Sequence, residues 1–292
     1  MKACATLLAI ALVPAHAATI LAPEDAAVTD ADYIAEGARF EAVGEYSGSG
    51  GFFSNGSGVL IGERWVLTAS HLTNFASGAN FTVGGTAYAA SRIITHPNAG
   101  SPFSPNIDLG LLELATPVVG VEPVSLWRFG SRGGILGEEA TWVGFGFGGT
   151  GLTGSQEFAS TVAKRGFTNL IDGFGDSANF NPATIVSDFD RPGEGEPVTR
   201  LEGNVAPGDS GGGVFVERGG RMVLAAITSY RGEGDGTQNS DYGDFSGATD
   251  LFDHLAWIES ETGIAAIPEP HAALLGAAAL LLAIGVRRRG AR

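Results

Sequence analysis

Pro207-Gly208-Asp209-Ser210-Gly211-Gly212-Gly213 sets one serine among four glycines. Such a run permits a tight turn that leaves the hydroxyl uncovered, and the N–H groups of Gly208 and Ser210 can then hold a carbonyl oxygen that turns into an oxyanion. An ordinary glycine-rich loop is the alternative, because Gly and Ser are common turn residues. Working back along the chain, Asn106-Ile107-Asp108-Leu109 puts a carboxylate at the mouth of an apolar strand. A partly buried Asp there can accept a hydrogen bond from an imidazole, fixing its tautomer and stabilising the imidazolium. Further back, Trp65-Val66-Leu67-Thr68-Ala69-Ser70-His71 reads as a strand running out into a turn, which holds the His71 ring rigidly at a sheet rim. Of the 5 histidines, His16 and His271 lie in terminal segments, while His96 before Pro97 and His254 beside Phe252 and Trp257 read as structural.

The surrounding chain has the rhythm of an all-β protein. From about Phe40 to Thr249, short apolar or β-branched runs alternate with Gly, Pro, Asn and Asp clusters, as in Gly58 to Ile61, Trp65 to Thr68, Arg92 to Thr95, Leu109 to Leu114, Thr141 to Phe145, Gly212 to Val216 and Met222 to Thr228. No long amphipathic helix alternates with them, which disfavours a parallel α/β fold. One terminal helix is predicted, capped by Thr249-Asp250, carrying Leu251, Leu255 and Ile258 on one face and stopped by Gly263. The glycine-rich segments 146–155 and 232–244 read as surface loops. The carboxylates Glu233, Asp235, Asp241 and Asp244 could hold Ca²⁺, or simply be solvated, since the EF-hand spacing is absent.

Both ends of the 292 residues differ from the middle. Lys2, the apolar run Leu7 to Val13, Pro14 and Ala15-His16-Ala17 describe a secretory signal peptide cut after Ala17; a buried first helix is the alternative. The single Cys, Cys4, leaves with it, so the exported chain has no disulfide. Pro268-Glu269-Pro270, an apolar run from Ala272 to Val286 and Arg287-Arg288-Arg289 suggest a weak or temporary membrane span with its basic end held on the cytoplasmic side. Without both ends the 17 basic residues fall to 12 and the 32 acidic ones to 31, moving the net charge from −15 to −19. That acidity argues against nucleic acid as a partner.

Two resemblances follow. The Pro-Glu-Pro motif, apolar run and Arg-rich end resemble the PEP-CTERM sorting signal of bacteria, which implies removal by an exosortase and delivery to the cell surface or a polysaccharide matrix; an anchor that stays attached is the alternative. W-V-L-T-A-S-H, N-I-D-L-G-L-L-E-L and G-D-S-G-G-G, in that order, resemble the trypsin-like (chymotrypsin-fold) serine proteases over about residues 34 to 262. Subtilisin-like and α/β-hydrolase enzymes use other orders, and the G-x-S-x-G elbow of lipases is absent. The resemblance implies two antiparallel six-stranded β-barrels with a C-terminal α-helix. It also implies Ser210 as nucleophile, His71 as general base and then acid, Asp108 as the residue orienting His71, Gly208 and Ser210 as the oxyanion hole, a polypeptide substrate, and no metal or organic cofactor. The organisation is then a signal peptide (1–17), an N-terminal segment or propeptide (18–33), a peptidase domain (34–263) and a sorting segment (264–292). A reading of another class is a noncatalytic matrix or adhesion protein on the same scaffold.

The chain departs from the pattern in places. The family pairs the Asp before the nucleophile, here Asp209, with a newly cut amino terminus. Ile34-Ala35-Glu36-Gly37 is a faint counterpart of that terminus, and Arg39 is an internal substitute for it. Asn204, six residues before Ser210, stands where members that prefer Arg or Lys carry Asp, which implies a taste for uncharged side chains. Ser229-Tyr230-Arg231 resembles the substrate-binding Ser-Trp-Gly strand, with Arg231 either narrowing the pocket or projecting into solvent.

Overall fold

Each short apolar run named between Phe40 and Thr249 falls in a strand, overrunning it by at most one residue. The computed structural model describes residues 18–101, 104–128, 130–156, 163–175, 184–194, 197–234 and 236–268. The signal peptide expected over 1–17 and the part of the expected sorting segment beyond Pro268 lie outside the described residues, as does Asp235. Among the described residues no helix is long and apolar enough to cross a membrane.

The described residues open with a short strand, β1 (Ala18–Ile20), and a helix, α1 (Asp30–Ala38). Strands β2 (Val43–Ser49), β3 (Asn55–Gly62), β4 (Trp65–Thr68), β5 (Gly78–Val83) and β6 (Thr86–Thr95) follow, with a one-turn helix α2 (Ser70–Thr73) after β4. A two-residue hairpin, β7 (Gly100–Ser101) with β8 (Ser104–Pro105), leads into β9 (Gly110–Leu114). These strands close a barrel in the order β2-β3-β4-β9-β6-β5, filled by Tyr46, Leu60, Leu67, Phe81 and Leu112.

The second half holds β10 (Trp127–Arg128), β11 (Glu139–Gly144), β12 (Gly148–Thr150), β13 (Gly154–Ser155), β14 (Arg165–Leu170), β15 (Gly173–Phe174) and β16 (Thr184–Asp188). It continues through β17 (Gly203–Asn204), β18 (Gly213–Arg218), β19 (Arg221–Gly232), β20 (Phe245–Asp250), the helix α3 (Leu255–Thr262) and β21 (Ile267–Pro268). Its main sheet is seven-stranded, β14-β11-β18-β19-β20-β16-β15, with Trp142 stacked on Phe167 at 5.8 Å in its core. The expectation of two closed six-stranded barrels is met in the first half only. In the second, among the described residues, β12, β13 and β17 leave the main sheet to flank β1 in a separate sheet ordered β13-β12-β1-β17, while β10 pairs with β21. Segment 146–155 is thus not the surface loop its glycines suggested, because β12 and β13 are paired there and Gly148, Gly149 and Gly154 are buried.

α1 was not foreseen. The Asp32 carboxylate accepts the N–H and hydroxyl of Thr29 at 2.8 Å each, closing the helix start. Asp30 grips Arg165 of β14 with two hydrogen bonds, 2.5 and 2.9 Å. Gly37 lies so close to the Arg165 backbone that no Cβ would fit. Tyr33 is fully buried, its hydroxyl accepting Leu21 N–H and donating to the Glu202 carbonyl, so residues 18–38 are built into the second half.

α3 starts four residues later than Leu251, since Thr249 and Asp250 finish β20; Gly263 ends it at φ +74°. His96 packs its ring against Trp257 at 4.6 Å and against His254 at 5.4 Å, tying the β6–β7 loop to this helix. Burial, and then the charge of His254, push His96 down from 6.5 to about 4. An unfolded chain takes up that proton near 6.5, so the contribution is whole above 6.5 and is lost as the pH falls toward 4, an effect of up to about 3 kcal/mol. Thermal unfolding at pH 7 and 4.5 should show a fall in midpoint that His96→Asn reduces; an equal fall in both proteins contradicts it.

Candidate active site

β4 and β9 pair with Thr68 opposite Gly110, so the residues after Thr68 and before Gly110 leave the barrel rim side by side. His71, in α2, and Asp108 meet there, 8% and 1% exposed. Asp108 Oδ2 lies 2.7 Å from His71 Nδ1 and accepts Ser229 Oγ at 2.5 Å. Its Oδ1 accepts the His71 N–H at 2.9 Å and Ser70 Oγ at 2.8 Å. Burial is the largest influence on this carboxyl and pushes its pKa up. The charge and hydrogen bonds of His71, with the Ser229 bond, outweigh it and hold the group below its ordinary range. A carboxylate so held keeps the proton on Nδ1 and leaves Nε2 as the basic nitrogen. Sequence reading missed Ser70, whose only signal is its place beside His71, and it assigned Ser229 to substrate whereas the hydroxyl is spent on Asp108.

Ser210 sits on the turn between β17 and β18. Gly211, at φ +84°, passes so near the Ser57 carbonyl and Thr68 hydroxyl that a side chain is excluded. Ser57 N–H donates to the Ser210 carbonyl at 2.7 Å, and Ser57 Oγ donates to the Gly208 carbonyl at 3.0 Å. The turn is therefore bolted to β3 and lies close against Thr68, the end of the strand that delivers His71. No hydrogen bond joins Ser210 Oγ to His71 among the described residues, a looseness common before substrate enters. Within the turn, the N–H groups of Asp209, Gly211 and Gly212 are bonded to Ala206, Thr228 and Asp209 carbonyls. Those of Gly208 and Ser210 have no acceptor among the described residues, leaving two donors for an oxyanion.

Asp209, 3% exposed, accepts Gly146 N–H at 2.7 Å and Ala206 N–H at 2.9 Å, and the backbone of Ala18 lies near enough to favour its charge. Burial, the largest influence, raises it to about 6 against these bonds and the charge of Arg165. In the uncut chain Arg39 pairs with Glu36 at 2.5 Å on the surface and Ile34 is inside α1, while Arg165 is the internal Arg whose charge acts on Asp209. Ala18 arrives because β1 pairs parallel with β12, Ala18 opposite Gly148, and antiparallel with β17. Ala18 holds φ +59°.

Asn204 is fully buried, its Oδ1 accepting Val205 N–H at 2.9 Å and Ser246 Oγ at 2.5 Å; its Nδ2 has no partner among the described residues. The Tyr230 hydroxyl shares a 3.1 Å hydrogen bond with Thr184. Arg231 donates to Ser155 Oγ at 2.9 Å and Ser240 Oγ at 3.2 Å, which ties its guanidinium across neighbouring loops and not outward into solvent. Asp244 is likewise used up, accepting the N–H groups of Gly234, Asn239 and Ser240, and no metal-holding cluster occurs among the described residues.

This arrangement has known counterparts. The family described as Trypsin-like peptidase domain matches residues 56–223. A trypsin of Simulium vittatum is 38% identical over 77 residues, 24% of this chain and 31% of that protein, so the chain spans about a third of that relative's length. Chymotrypsin-like elastase family member 1 of Canis lupus familiaris is 25% identical over 197 residues, 64% of this chain and 74% of that protein. Among solved structures, HL collagenase shares the fold with a TM-score of 0.58 and 20% identity, over 77% of this chain and 94% of that chain.

Proposed function

The chain belongs to the trypsin-like peptidase domain family, and from that premise we propose that it is an exported serine endopeptidase. The observation that carries the reading is the buried Asp108–His71 pair next to a serine whose turn holds two N–H donors without acceptors. In this reading His71 Nε2 takes the Ser210 hydroxyl proton as Oγ attacks a peptide carbonyl. The Gly208 and Ser210 N–H groups hold the oxyanion, and His71 returns the proton to the leaving amine. Water, activated by the same ring, then hydrolyses the acyl-enzyme. Asp108 stays ionised throughout and steadies the imidazolium.

Export follows from the signal peptide, and its cut after Ala17 makes the Ala18 nitrogen an ammonium beside Asp209. The Arg-rich sorting segment then holds the chain at the membrane for a time, until an exosortase removes it and the enzyme passes to the cell surface or matrix.

Asn204 sets the preference before the cut bond. A cationic side chain would lose its water and meet an amide where a carboxylate is needed, so uncharged side chains are favoured. On peptides differing only at that position, kcat/KM for Arg and Lys should fall at least about tenfold below the best neutral residue, and equal rates refute this. The function itself is tested by incubating the Ala18-start protein with a fluorophosphonate and with a peptide library. Labelling at Ser210 with peptide cleavage supports it, whereas a folded protein that takes no label is a noncatalytic member.

A further inference from the structure

Three aromatic side chains stay exposed on the rim that bears His71, namely Phe52 (59%), Phe53 (37%) and Phe75 (70%). Isolated exposed apolar residues are ordinary, but these converge. The Phe53 ring meets the His71 ring edge-on at 5.2 Å, and Phe52 meets Phe75 edge-on at 5.7 Å. The loops that carry them are fastened together, since Ser77 N–H donates to the Ser49 carbonyl at 2.7 Å and Gly48 N–H to the Ser54 carbonyl at 2.8 Å. Phe75 follows His71 by one helical turn and holds φ +61°, a left-handed backbone that a β-unbranched aromatic adopts only under constraint. A strained backbone that keeps the Phe75 ring in water, four residues beyond His71, fits a binding role better than a structural one.

The side of His71 on which they lie assigns the occupant. Asp108 links His71 to Ser229, so the ring has β19, with Tyr230 and Arg231, on one flank. The Phe53 ring meets the same imidazole edge-on, and the chain runs on from Phe53 into β3, whose Ser57 N–H holds the Ser210 carbonyl. For a polypeptide whose acyl half lies along β19 and whose scissile carbonyl sits at Ser210, the Phe53 side is left for the leaving half. We propose that Phe52, Phe53 and Phe75 form an apolar lip that receives the side chains of the first two residues after the cut bond, making this an enzyme selective for apolar or aromatic residues on the leaving side. The proposal rests on the peptidase reading above. Because the same ring protonates the leaving amine, binding at the lip also aligns that amine with its acid.

The test uses two internally quenched peptides identical up to the cut bond, one continuing Leu-Phe and the other Asp-Gly, with the Ala18-start protein. The ratio of their kcat/KM values is expected to be tenfold or more in favour of Leu-Phe, and to fall toward one in the double variant Phe52→Ser, Phe75→Ser. Reading a ratio cancels any general loss of activity, and neither substituted residue touches His71. A wild-type ratio near one, or a ratio unchanged in the variant, overturns the lip. If neither peptide is cleaved and a peptidyl coumarin amide with the same acyl half is also untouched, the peptidase reading fails first, and the lip with it.

Discussion

Ser210→Ala should lower kcat for peptide hydrolysis by about 10⁴- to 10⁶-fold and abolish fluorophosphonate labelling, because the step it removes is the covalent one. The residual rate should still exceed that in water, since the oxyanion donors are backbone N–H groups that the substitution leaves in place. The folded protein should barely notice. Ser210 Oγ makes no hydrogen bond among the described residues, and Ala tolerates the same backbone, so the change in stability should stay within about 0.5 kcal/mol. Progress curves on one quenched peptide, with a melting curve alongside, decide the matter; more than a hundredth of the wild-type rate would remove Ser210 from the nucleophile's role.

Smaller, but still large, is the effect expected of the amino terminus. Protein beginning at Ala18 should be active, whereas protein that keeps even a few residues ahead of Ala18, or that begins at Ile34, should have at most about a hundredth of that activity. The reason is the turn's own hydrogen bonding. Asp209 orients Gly146 and Ala206 while its backbone forms the oxyanion turn, and burial opposes its charge. An ammonium at Ala18 would offset that burial, since an opposite charge in contact favours the ionised form. An uncut chain offers only an amide N–H. A start at Ile34 removes β1 altogether, along with the Tyr33 hydroxyl that ties Leu21 to Glu202. Mass spectrometry of the active species, with rates for the three forms, measures this; full activity of the extended form would place the charge on Asp209 elsewhere.

The chemistry was more legible in the sequence than the frame around it. Trp65 to His71, Asn106 to Leu109 and Pro207 to Gly213 announce themselves locally, because strand ends and glycine turns are written in adjacent residues. β1 does not. Three residues, Ala18-Thr19-Ile20, carry no periodicity, and their place depends on partners near Gly148 and Asn204 far along the chain. The same distance hid β12 and β13, since glycines read as loop until a strand from elsewhere pairs with them. α1 was legible in principle, through Thr29 followed three residues later by Asp32, although a nine-residue helix gives little hydrophobic period to notice. The bond from the Ser229 hydroxyl to Asp108 was not legible, as spacing shows that a hydroxyl is near a strand but not which oxygen it serves.

The backbone angle at Ala18 bears on when proteolysis can begin. A φ of +59° costs a non-glycine residue about 1 kcal/mol, and it exists only while a carbonyl carbon precedes the nitrogen. On the reading proposed above, hydrolysis of the bond to Ala17 would remove that constraint in the act of creating the charge, joining release from the leader to the settling of β1 in one event. The same reading would make the chain a protease only after the membrane has been crossed, so that topology protects the producing cell.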